Sequence, residues 1–121
     1  MLPPSHQDRI EEFLQALAWL KKTTEQVDNL ENASLERTFQ EVQQISTSLI
    51  LGGNGDDSNQ ALAPRMQSIL TEIHRQMRLL QLDVMFLKAS RQSATALTRQ
   101  RIMSDRIKSL IGYCEALRQR Q

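Results

Sequence analysis

From Met66 onward the apolar residues recur at alternating intervals of four and three: Met66, Leu70, Ile73, Met77, Leu80, Val84 and Leu87. That spacing keeps one stripe of an α-helix apolar and is incompatible with the period-two alternation of a half-buried strand. A second series has the same steps: Ala96, Gln100, Met103, Ile107, Leu110, Cys114 and Leu117. Folded antiparallel about the polar ArgGlnSer at 91–93, the two stripes meet in register, Met66 with Leu117, Leu70 with Cys114, Ile73 with Leu110 and Met77 with Ile107. The pairing continues through Leu80 with Met103, Val84 with Gln100 and Leu87 with Ala96. Two seams in register across one short connection predict an αα-hairpin.

The N-terminal half repeats the design with Ile10, Phe13, Leu17, Leu20, Thr24 and Val27 on one helix and Leu35, Thr38, Val42, Ile45 and Leu49 on the next. Ser5 and Ser34 are candidate N-caps, Gly52–Gly53 a stop, Pro64 a first-turn residue and Ser93 a cap for the last helix. The expectation is an all-α fold of two antiparallel helical hairpins, a four-helix bundle with helices near 6–30, 35–51, 64–90 and 94–119. It forms a single domain over 1–121, and the Gly-, Asn- and Asp-rich segment 52–63 is an inert linker between the hairpins. A hairpin paired with a second chain is the rival architecture. The second helix, at about 25 Å, is the short one, so Ile10, Phe13 and Leu14 should project past it and pack on the linker or the other hairpin.

Composition agrees. Glycine occurs four times and proline three times in 121 residues, too few for a turn-rich β fold. No apolar run approaches the roughly 20 residues of a bilayer span, and MLPPSHQDRIEEF lacks the basic and apolar regions of a secretory leader. With Cys114 as the only cysteine, no intramolecular disulfide can form and a metal cluster is not expected. A reducing, cytoplasmic setting without membrane insertion is the simplest expectation.

Charge is unevenly placed. Residues 1–63 hold four basic and ten acidic side chains, and residues 64–121 hold eleven basic and four acidic. Attraction between the two halves within one fold is the plain reading, and contact of the basic half with an acidic partner is the sharper one. Nucleic acid is the less suitable partner, because the arginines are not interleaved with stacking aromatics.

No catalytic residue, cofactor or metal ligand is expected, and the chain does not read as an enzyme. His74 invites comparison with phosphotransfer bundles, but HisArgGlnMetArgLeu lacks the lysine and glycine that follow such a histidine. His6 and His74 stand far apart without a second ligand at metal-binding spacing. Cys114 falls in the seam as a structural thiol. GlyGlyAsnGlyAsp follows a helix and lacks the lysine of a phosphate loop. Trp19 and Tyr113 lie off the seams, where packing at a helix–helix boundary is expected.

One apolar excess remains. Leu79, Leu82 and Phe86 form a second stripe on the third helix, and Leu82 falls nearly opposite the seam. A bundle neighbour could bury Leu79 and Phe86 but less easily Leu82, so the stripe reads either as contact with the first hairpin or as a surface for a partner or a second copy. Asp83 sits beside it, level with Arg101 and near Arg99. A carboxylate there needs a cation, so an arginine of the fourth helix should clasp it.

The run ArgLeuLeuGlnLeuAspValMetPheLeu, then AlaSerArgGlnSerAlaThr, then SerAspArgIleLysSerLeuIleGlyTyrCysGluAlaLeu, resembles the cyanobacterial heterocyst frequency control protein PatD family. The likeness spans residues 75–117 and departs from the family pattern at Leu87, Lys88 and a longer linker. It implies a small non-enzymatic cytoplasmic regulator that tunes heterocyst frequency and contacts the cell-division protein FtsZ. For such a partner the second stripe supplies the expected surface, Leu79, Leu82 and Phe86 with neighbouring Arg75, Arg78 and Arg91, while the hairpin register gives Asp83, Arg99 and Arg101 as the structural clasp. A homodimer is the other occupant for the stripe. The alternative function is a dimeric nucleic-acid-binding regulator using the basic C-terminal half.

Overall fold

A computed structural model describes residues 4–25, 32–54, 64–90 and 93–119. They form helices α1 (Pro4–Glu25), α2 (Asn32–Asn54), α3 (Pro64–Ala89) and α4 (Ser93–Gln119), and no strand occurs among them. Each helix packs on two neighbours: α1 on α2 and α4, α3 on α4 and α2. The chain is an up-down-up-down four-helix bundle. Contact is thinnest between α2 and α3.

The seams are buried as their spacing demands at every described position but Ile45, Ala96 and Gln100, which are half-buried. Ile10, Phe13, Leu17 and Leu20 of α1 and Leu35, Val42 and Leu49 of α2 are fully enclosed. So are Ile73, Leu80 and Leu87 of α3 and Met103, Ile107, Leu110, Cys114 and Leu117 of α4. These residues belong to one core cluster fed by all four helices. Enclosing each large aliphatic or aromatic side chain contributes about 1.5–3 kcal/mol, so the alternating spacing is the main source of stability. Polar residues occupy seam positions where the helix can satisfy them. Thr24 Oγ1 donates to the Leu20 carbonyl and Thr38 Oγ1 to the Ser34 carbonyl, both at 2.8 Å. Gln100 Nε2 donates to the Thr24 carbonyl at 3.0 Å, tying α4 to the last turn of α1.

Several boundaries differ from the sequence reading. Helix α1 begins at Pro4, before the expected cap Ser5, because proline at a helix start sacrifices no backbone bond. Helix α2 begins at Asn32, ahead of Ser34, and runs through Gly52 and Gly53 to Asn54. Two glycines weaken a helix by about 1 kcal/mol each without forbidding it, and tertiary contact overrides the propensity. The longer α2 removes the expected overhang: Ile10 and Phe13 are buried and Leu14 half-buried, and Arg9 Nη1 approaches the Ser48 carbonyl of α2 at 3.4 Å. The expected extension of α1 to residue 30, with Val27 and Leu30, and linker positions 55–63 lie outside the described residues.

The charge asymmetry is spent partly inside the bundle. Glu36 of α2 meets Lys88 of α3 at 2.9 Å, and Glu11 of α1 meets Arg118 of α4 at 2.6 Å. Ser104 of α4 donates to Glu25 of α1 at 3.0 Å. Among the described helices, none is long and apolar enough to cross a membrane.

Candidate functional site

Turning each α3 residue by about 100° around the helix axis places Leu82 on the side opposite the seam, with Met85, Phe86, Arg75 and Arg78 on adjoining rows. Leu82 is 46% exposed, Met85 58% and Phe86 48%. Leu79 is half-buried, Arg75 and Arg78 are exposed, and Arg91 lies outside the described residues. Neither α2 nor α4 therefore covers the middle of the stripe. Met85 belongs to the same surface and was missed by following steps of three and four from Leu79; its place three residues after Leu82 is the signal that would have found it.

Helix α4 trims one edge of this surface. The Arg99 guanidinium lies 4.5 Å from the centroid of the Phe86 ring, a cation–π contact that holds the ring in place from across the hairpin. Arg99 is thus not the partner of Asp83. Arg101 is not either: it is exposed and lies beside Glu25, Ser104 and Lys108 on the flank of α4 that faces α1. The Asp83 carboxylate, 5% exposed, accepts instead from Arg106 Nε at 2.5 Å.

The reason for the different partner is the lean of helical side chains. Every Cα–Cβ bond tilts toward its helix N-terminus, so in an antiparallel pair the side chains lean in opposite directions along the axis and meet only when suitably offset. Asp83 is level with Arg101, but it leans toward the level of Arg106, and Arg106 leans back toward it. Arg106 also lies about 140° around α4 from Arg101, on the side that faces α3. Its Nη1 reaches Gln76 Oε1 at 3.5 Å, Gln76 Nε2 donates to Glu72 at 3.1 Å, and Glu72 meets Arg75 at 3.5 Å. A polar chain therefore runs from the buried carboxylate to the arginine that borders the exposed stripe. It fixes side chains and contains no nucleophile poised against a base.

The remaining chemistry-bearing residues stay separate. His74 is exposed on α3. Cys114 is buried, and desolvation, with a smaller contribution from the Glu115 charge, pushes its thiol up to about 12. No group of histidine, cysteine or carboxylate side chains among the described residues could hold a metal ion. Tyr113 is half-buried against the core, as its position off the seam suggested, whereas Trp19 is 58% exposed with Lys22 Nζ 5.9 Å from its ring. Leu97 is exposed too, on the α1-facing flank of α4, away from the α3 stripe.

No family model, no curated protein and no solved structure matches this chain.

Proposed function

We propose that the protein is a non-enzymatic regulatory interaction module and that the outer face of α3 is its docking surface. The observation that carries the reading is the exposure of Leu82, Met85 and Phe86 on one side of a helix whose opposite side is fully buried. Large apolar side chains gathered on a rigid helix are a common anchor for a partner, and aromatic residues and arginine are enriched where binding energy concentrates. Arg75 and Arg78 beside the stripe favour a partner that presents carboxylates around an apolar centre. With the resemblance to the PatD family, the partner proposed is the division protein FtsZ and the process is control of heterocyst frequency.

The test replaces Leu82 and Phe86 together by Asp and measures capture of purified FtsZ, with helicity followed by circular dichroism. Loss of capture by a folded variant is expected. Undiminished capture would remove the α3 face from the proposal, and no capture by the unaltered protein would remove FtsZ. Light scattering on the unaltered protein separates a second copy on the stripe from a different protein. Binding to duplex DNA that weakens steeply with salt would favour the nucleic-acid alternative. Lys88, Arg106 and Arg118 are engaged in ion pairs within the bundle, which leaves that alternative fewer cations.

A further inference from the structure

Between α2 and α3, where the bundle packs most thinly, lies a half-open cavity of about 200 Å³. Gln43, Ser46, Thr47 and Ile50 line it from α2, and His74, Met77, Arg78 and Gln81 from α3. Ser46 is 3% exposed, and among the described residues its hydroxyl has no hydrogen-bond partner. Other described helical hydroxyls either bond the carbonyl four residues back, as those of Thr24, Thr38, Thr47 and Ser90 do, or lie at less buried positions; Ser46 is buried and does neither. A buried hydroxyl left dry costs about 1–3 kcal/mol, so this one bonds whatever occupies the half-open cavity it lines, water or ligand.

Gln43, His74, Arg78 and Gln81 line the same cavity, and their side chains make no bond to another described residue, so polar groups of both helices border one space. One of the lining residues is an arginine and one a histidine, and none is a carboxylate. Ile50 and Met77 supply the apolar part. A concave site with an apolar wall and a few convergent polar groups is the usual form of a small-molecule pocket. Its volume lies below the roughly 300–1,000 Å³ of drug-sized pockets, so the occupant is small.

We propose that the α2–α3 groove binds a small organic carboxylate with a short apolar chain. The planar guanidinium of Arg78 suits a carboxylate, Ser46 and the glutamines donate to its remaining lone pairs, and the chain lies on Ile50 and Met77. This proposal does not rest on the docking surface. Ser46 and His74 lie away from the outer face of α3, and only Arg78 borders both.

The test titrates the isotopically labelled full chain with butyrate, hexanoate, butanamide and inorganic phosphate, following backbone amide shifts by NMR. Hexanoate is expected to give saturable shifts confined to residues 43–50 and 74–81, with butyrate weaker and butanamide and phosphate at least about tenfold weaker. Ser46→Ala and His74→Gln should each weaken hexanoate several-fold, and Leu82→Asp should not. Equal binding of butanamide would reduce the groove to an apolar slot, and equal binding of phosphate to a general anion site; either overturns the assignment. So does the absence of saturation by hexanoate at about 100 mM. The comparison among probes uses the unaltered protein, so it stands whether or not a variant folds.

Discussion

Arg106 Nε sits 2.5 Å from Asp83 Oδ2, although the hairpin register places Arg101 level with Asp83. The pair locks the longitudinal offset of α3 against α4, since sliding either helix by one turn would strand a nearly buried carboxylate. Arg106→Leu should therefore destabilise by about 3 kcal/mol, the low end for a buried pair because the arginine side chain keeps 24% of its exposure. Adding Asp83→Leu should recover most of that loss, and urea unfolding of the two single variants and the double variant measures the coupling. Equal stability of Arg106→Leu and the unaltered protein would show that the pair does not set the register.

Leu80 and Leu82 stand two residues apart and differ completely in burial. Leu80→Ala should cost about 2–5 kcal/mol by opening a cavity in the core. Leu82→Ala should stay within about 0.5 kcal/mol of the unaltered protein. Thermal unfolding of both distinguishes a surface stripe from a core stripe without knowledge of any partner.

Glu25 is held below its ordinary value of 4.5, first by the hydrogen bond from Lys21, then by that from Ser104. A depressed carboxylate contributes stability that is present above its unfolded value and is lost as pH falls through the folded one. The contribution should thus be complete well above pH 4.5 and decline as pH falls through that value and below it. Carboxyl NMR titration should move Glu25 upward in Lys21→Met and by a smaller amount in Ser104→Ala. A larger effect of Ser104→Ala would reverse the order of the two causes.

Cys114 should resist thiol reagents while the protein is folded, because burial and a thiol pushed up to about 12 both suppress the thiolate. Its folded value is raised above the ordinary 9.0, so its contribution to stability is complete below about pH 9 and declines as pH rises toward 12. Labelling with a disulfide reagent at pH 8 should be slow, and it should accelerate in parallel with unfolding in urea. Fast labelling without denaturant would place the thiol outside the core.

The seams were legible because burial in a bundle obeys a simple period, and every α3 and α4 seam position from Met66 to Leu117 except Ala96 and Gln100 is enclosed. Helix ends were less so: Gly52 and Gly53 read as a stop, but contacts within the bundle carry α2 past them. For the clasp, the sequence indicated an arginine of α4 opposite Asp83 and named Arg101 and Arg99 where the structure has Arg106, because level pairing ignores the axial lean of side chains. The heptad relation of Arg99, Arg106 and Tyr113 marks the α3-facing flank and could have singled out Arg106. The α2–α3 groove was invisible, since its residues are ordinary one by one and meet only when two helices fail to pack closely.

The ion pair between Glu11 and Arg118 places the start of the first helix beside the end of the last. The bundle is a ring whose closing contact joins the most distant parts of the chain, while the thinnest contact falls between helices adjacent in sequence. Such wiring makes the bundle suited to circular permutation: a bridge from α4 to α1, with a break placed between α2 and α3, would turn its most remote contact into a local one and should speed folding.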